Sequence, residues 1–487
     1  MIERLRRLLS GRTAAVGLIG ALLLLAGMSL YQALITPPYR FIDEQAHAGY
    51  VLAVQHGRLP SIDSPIDEAA GGPALRTRLS TEPAGRHDIW VANNPPLTYV
   101  LAAGPAAITR ALGVAGGPLM GLRLVNIAAA MGAVALSYLL GRDLSDGDRS
   151  VGLVTAGLVA AMPHLGFVTS VGFNDGVSLL ATTGVLVWLA RVCGAGPGGW
   201  GDRRAVQGLG LWLAVAASAR PMAMVLALAA GVIALGVIWW RRSTPPWWSL
   251  AWLAVPPTVA AGWFYALNVH RYGDPTGSSA LFDKFGRQGT TSLWHALGLR
   301  GAWESAFRTV TTRRLEIPLP ADPRAWYTVA LTVTAVGIGG TIALVARSAV
   351  QHRGSRTGGL PGTAWIAVAA VSLVPMVLTA QHRAGGGSPH ARYLVPMVPV
   401  VAAAVALSAV RLATRWTGAI LVVLLAAVSL LQTRAASRWL AQNPKGPPGS
   451  ELVTAYGSEL LRGSMLALAG VGLILLITAI AMDDRRT

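Results

Sequence analysis

Twelve times between Thr13 and Met482 the sequence runs apolar for the length of a bilayer crossing, or nearly so: 13–34, 119–140, 151–168, 177–192, 206–219, 222–240, 247–268, 326–346, 363–380, 393–410, 417–433 and 464–482. In hydrocarbon a segment must satisfy its own backbone hydrogen bonds, so runs of this length are helices. With 53% hydrophobic and only 13% charged residues, the chain is neither disordered nor an ordinary soluble enzyme. The expected fold class is an all-α polytopic membrane protein with about 12 transmembrane helices. The first run is read as a membrane helix and not as a cleaved signal, because it is a full crossing long and no A-x-A-like site closes it.

Arginines set the expected sidedness. The net charge of +18 is carried almost wholly by arginine, with Lys284 and Lys445 the only lysines, and cytoplasmic loops should hold the excess. If the ambiguous run 95–112 crossed, the loops with Arg142 and Arg149, Arg203 and Arg204, and Arg241 and Arg242 would all lie outside. If it lies along the outer interface, those loops are cytoplasmic, as are Arg347, Arg353, Arg356, Arg411, Arg415, Arg485 and Arg486. Twelve crossings with both termini inside then place loops 35–118, 269–325 and 434–463 outside, with surface helices expected at Ile42–His56 and Pro95–Leu112. The expected organisation is a module over 1–270, an external loop over 271–325 and C-terminal helices over 326–487. The basic excess is assigned to lipid headgroups and phosphate ligands, with no nucleic-acid partner.

Several polar groups stand where an apolar bundle does not need them. Asp43 and Glu44 follow the first crossing, with His47 on the same helical face, a carboxylate-imidazole arrangement suited to a general base; the second reading of Asp43 is a helix cap, and the two roles can coexist. Asn174 and Asp175 sit between two apolar spans, where a cap for the helix from Val177 is the favoured reading and a site the other. Arg220-Pro221 interrupts a long apolar stretch and is either functional or a snorkelling arginine in a turn. His382, Arg383, His390, Arg392 and Tyr393 flank a glycine-rich linker on the outward side. Planar bidentate donors on a pliant backbone are what a phosphate or pyrophosphate headgroup requires. Asp146-Gly147-Asp148 is read as turn chemistry. Cys193 stands alone, and no H-E-x-x-H, Walker A or dinucleotide motif occurs.

Taken in order, the outward Asp43-Glu44, the surface helix ending in Gly57-Arg58-Leu59-Pro60, the run Asn94-Pro95-Pro96-Leu97-Thr98-Tyr99, the pair Asn174-Asp175 and the stretch Ala391 to Pro399 resemble the GT-C superfamily of polytopic membrane glycosyltransferases. The likeness covers about 13–410 and is closest to a less characterised bacterial branch. It implies transfer of a sugar from a polyprenyl-phosphate carrier to a glycan or lipid-linked acceptor at the external face of the bacterial plasma membrane. It implies that Asp43 serves as base or acceptor-positioning group with Glu44 beside it. Arg392 and Arg383 would hold the lipid phosphate, with Asn174, Asp175, Arg220, His382, His390 and Tyr393 completing the substrate-binding set. A divalent metal is possible, with Asp175 its main intramembrane candidate. The competing expectation is a transporter or flippase of lipid-linked sugars using the same arginines. If base and phosphate cation occupy separate ends of one cavity, Asp43→Asn should slow turnover and leave donor affinity little changed.

Overall fold

The computed structural model describes residues 2–41, 43–114, 116–194, 201–242, 246–289, 291–312, 323–351, 361–388, 390–442 and 459–483. Among these residues the only pairing of extended backbone is one bridge between Pro65 and Asp88, and the rest of the regular structure is helical. In chain order the helices are α1 (Ile2–Ile35), α2 (Glu44–Gln55), α3 (Gly72–Leu79), α4 (Leu97–Ala111), α5 (Pro118–Leu144), α6 (Arg149–Ala160), α7 (Pro163–Ser170), α8 (Asp175–Gly194), α9 (Gly201–Ala219) and α10 (Pro221–Arg242). There follow α11 (Trp247–Tyr272), α12 (Ser278–Lys284), α13 (Leu293–Gly298), α14 (Arg300–Thr312), α15 (Pro323–Gln351), α16 (Gly362–Ala384), α17 (Ala391–Ala413), α18 (Arg415–Gln442) and α19 (Glu459–Met482).

Ten described helices are long and apolar enough to cross a membrane, and eleven crossings result if the bent pair α6 and α7 counts as one. The chain is a polytopic helical membrane protein. These eleven coincide with eleven of the twelve expected runs. The twelfth, 206–219, is the C-terminal part of α9, which packs between α8, α10 and α11 but is not among the candidate spans. Its apolar run covers only about 21 Å at 1.5 Å per residue, and Asp202, Arg203 and Arg204 precede it. The expected α4 is present with 15 residues, about 22 Å and too short to cross. The α6–α7 pair bends by 58° around Ala161 and Met162. Pro163 causes the break: Met162, the residue before it, is extended at φ −63°, ψ 118°. The Asp143–Ser150 turn is as expected, with Asp146 at φ 60° and the Asp148 carboxylate accepting from Ser150 N and Val151 N.

The bundle is closed by its first and last described helices. α1 lies along α19, and the approach is set by glycine: a Cβ on Gly20 would sit 2.6 Å from Gly472 O, and one on Gly27 would meet Met465 O. Such small-residue seams let helix backbones touch in lipid. At the end of the bundle where α1 meets α2, the connections 56–94 and 273–289 interlock. Lys284 Nζ reaches Asp63 and Asp88, each at 2.7 Å; Asn93 Nδ2 donates to Thr276 O at 2.9 Å; and Phe285 stands edge-on to Trp90. The Lys284 ammonium remains protonated against its burial because both carboxylates accept from it. α14 packs over α7 and the start of α17.

Candidate functional site

Asp43 stands directly before α2 as its N-cap residue, yet its side chain makes no cap bond. Its carboxylate turns instead toward the first turn of α17, where Arg392 Nη2 donates to Asp43 Oδ2 at 2.7 Å across 349 positions of sequence. Arg392 Nη1 lies 3.9 Å from Asp175 Oδ2 at the N-terminus of α8, and Arg220, in the break between α9 and α10, donates to Asp175 Oδ1. Two guanidiniums and two carboxylates thus form one chain of charge, fully buried only at Asp175: Arg220, Asp175, Arg392, Asp43. Arg392 also lies over the rings of Phe173 and Tyr393, centroid distances 4.5 and 5.6 Å, and Arg220 lies over Tyr393 at 5.3 Å. Burial alone would push the Asp43 carboxyl up, but Arg392 outweighs it and holds the group below the usual carboxylate range. Asp175, Arg220 and Arg392 line a small cavity with Ser178, Met222 and Pro396.

The cap reading of Asp175 gives way for a physical reason: another side chain does the capping. Asn126, inside α5, accepts from Gly176 N at 2.9 Å and donates to Val171 O and Phe173 O at 3.0 and 2.8 Å. It therefore fixes the 171–176 turn and leaves the Asp175 carboxylate for the arginines. Asn174 donates to Asn94 Oδ1 at 3.2 Å.

Glu44 is adjacent to Asp43 in sequence but points away from it. Its Oε1 accepts from Arg123 Nε at 3.2 Å, Arg123 Nη2 at 2.8 Å and Gly172 N at 3.0 Å, and both side chains are fully buried. Arg123 spends its remaining donors on the carbonyls of Ala33, Thr36 and Pro37. The pair anchors the α1–α2 corner to α5 and α8's approach, so Glu44 holds Asp43 in place and does not face the cavity chemistry.

His47 lies one turn into α2, with Nδ1 2.9 Å from Tyr99 Oη on α4. Burial lowers the ring to about 3 against the pull of Asp43, so it is neutral at ordinary pH. Burial likewise keeps the Tyr99 hydroxyl protonated. Tyr99 can then donate to Nδ1, which assigns the ring proton to Nε2. His382 and His390 stand edge-on to Tyr393 at 5.5 and 5.7 Å, and burial together with Arg392 lowers His390 to about 4. Both imidazoles frame the arginine centre as neighbours of Tyr393. The Arg383 side chain, at the end of α16, has no ion-pair or hydrogen-bond partner among the described residues and does not join the Asp43–Arg392 chain.

Sequence reasoning missed Arg123, Asn126 and the role of Tyr99. The signal was available for the first two, since each is a polar residue inside an apolar run of membrane-spanning length.

A divalent ion does not fit these residues. Asp175 is engaged by Arg220, Asp43 by Arg392, and among the described residues no three His, Cys, Asp or Glu side chains converge. An ion would have to displace a guanidinium from each carboxylate.

No protein-family model and no curated protein matches the chain. Among solved structures, ArnT from Cupriavidus metallidurans bound to undecaprenyl phosphate is similar with a TM-score of 0.50 at 12% identity, over 97% of this chain and 75% of that one. The Archaeoglobus fulgidus oligosaccharyltransferase in complex with Zn and sulfate gives 0.45 at 13% identity, over 87% and 56%. The S. cerevisiae protein O-mannosyltransferase Pmt1-Pmt2 complex bound to its sugar donor gives 0.36 at 14%, over 54% and 34%. This chain thus spans three quarters of ArnT and little more than half of the oligosaccharyltransferase. The ArnT likeness shows a shared fold.

Proposed function

We propose that this chain, which has the GT-C fold, is a membrane glycosyltransferase that moves a sugar from a polyprenyl-phosphate donor to a hydroxyl of a glycan or lipid-linked acceptor. The observation that supports it most directly is the contact between Asp43 and Arg392, a carboxylate and a guanidinium brought together, largely shielded from water, across 349 positions of sequence. In the reaction the acceptor oxygen forms a bond to the anomeric carbon as the carbon–oxygen bond to phosphate breaks. The acceptor proton goes to Asp43, and the electron pair leaves with the lipid phosphate. Arg392, with Arg220 behind it, stabilises that leaving group. Asn174, His47 and the His382–His390–Tyr393 group border the centre and are assigned to substrate positioning. Arg383 does not join this centre and is assigned no part in the transfer step. The site is assigned to the external face of a bacterial plasma membrane, with both termini cytoplasmic.

The test is incubation of the purified protein with a panel of polyprenyl-phosphate sugars and envelope acceptors, read by mass spectrometry. Transfer by the wild type and its loss in Asp43→Asn is expected. A wild type that binds lipid-linked sugars and moves them across vesicles without forming product would replace the enzyme with the flippase reading, since a carrier has no need of a base.

A further inference from the structure

We infer that Arg392 is a shared partner: the donor phosphate takes it from Asp43, Asp175 retains it during the exchange, and the base is freed only when donor is bound. This rests on the glycosyltransferase reading. Arg392 Nη2 is spent on Asp43 at 2.7 Å, so the proposed base and the proposed phosphate ligand neutralise each other. Two buried atoms beside this contact have no hydrogen-bond partner, Arg392 Nε and Asp175 Oδ2. Buried polar atoms are seldom left unpaired, so orphaned ones point to an arrangement completed by a further group. Both belong to the segment of the charge chain through which Arg392 would pivot. Asp175 Oδ2 already lies 3.9 Å from Arg392 Nη1, within reach of a direct hydrogen bond after a shift of about 1 Å. Arg220 holds the other oxygen of Asp175, which fixes the carboxylate as the stationary end.

The chain also carries too little charge for both partners at once. Two guanidiniums face two carboxylates. A phosphodiester adds an anion without adding a cation, and Asp43, 22% exposed against 4% for Asp175, is the carboxylate that can turn to water or to an acceptor hydroxyl. Asp175 is in this account a positioning residue that acts through Arg392. The consequence is an order of events: donor first, then acceptor activation.

The sign of one binding measurement separates this from a static site. If Asp43 competes with phosphate for Arg392, removing its charge strengthens lipid binding, and the expectation of unchanged affinity from separate ends of one cavity fails. Undecaprenyl phosphate should bind Asp43→Asn roughly tenfold more tightly than wild type, the order of effect for one close charge pair. It should bind Asp175→Asn more weakly, because Arg392 loses its second anchor. Asp43→Glu should return affinity toward the wild-type value, which a folding defect would not do. Equal or weaker binding by Asp43→Asn overturns the exchange. If the wild type meanwhile transfers sugar, the glycosyltransferase reading stands without it; if the wild type neither binds undecaprenyl phosphate nor transfers sugar, both fall.

Discussion

A buried arginine is tolerable only with its charge and its donors answered, and Arg123 answers them with Glu44 and three carbonyls at the end of α1. Arg123→Ala should therefore destabilise the protein by about 3–5 kcal/mol through the uncompensated Glu44 carboxylate, and the double variant Arg123→Met, Glu44→Leu should be less damaged than the single one; chemical unfolding in detergent checks both. His47 supplies a pH prediction. Its folded value, about 3, lies below the ordinary 6.5, so its stabilisation is complete above 6.5 and declines as pH falls from there toward 3. Between pH 7 and 5 the wild type should lose more thermal stability than His47→Gln. Asp43 has the same sign but acts only below the ordinary carboxylate value near 3.8, outside that window. Arg392→Ala should weaken donor binding by about 1.5–3 kcal/mol, and Arg392→Lys should restore only part of it, since an ammonium lacks the planar fork. Which of these residues could be read beforehand follows a physical rule. Asp43, Asp175, Arg220 and Arg392 interrupt or flank apolar runs and stand out, whereas Arg123 and Asn126 lie inside a run that remains apolar on average, where a residue-by-residue search for polar side chains is needed to single them out.

Elements were legible wherever one continuous apolar run makes one helix. The 151–168 run was not, because hydropathy is blind to a proline-induced change of direction, and Pro163 turns one expected rod into two. Nor does hydropathy reveal which helices are neighbours. That information lies in the small residues: Gly20→Val should force α1 from α19 and lower stability by about 1–3 kcal/mol, measured as a drop in unfolding midpoint. The interlocked connections 56–94 and 273–289 depend on pairings between segments about 200 residues apart, which no local pattern encodes. Lys284→Met should leave the bundle intact while amide exchange rises over 61–66 and 86–90.

For the molecule as a whole, the proposed sidedness predicts that a cysteine replacing the exposed Arg149, again without Cys193, is shielded from an impermeant thiol reagent in intact cells and reacts once the membrane is opened. Labelling from outside would invert the molecule and put the Asp43–Arg392 centre on the cytoplasmic side. The seam between α1 and α19 bears on something else, the order of manufacture. Gly20 leaves the ribosome some 450 residues before Gly472, the partner whose backbone it is shaped to touch. At the 5–20 residues per second of synthesis, that is roughly half a minute or more in which α1 sits in the bilayer with its glycine groove facing lipid. A ribosome that stops before residue 459 therefore releases a chain whose α1 keeps an open flank, the small residues that α19 would seal still facing lipid.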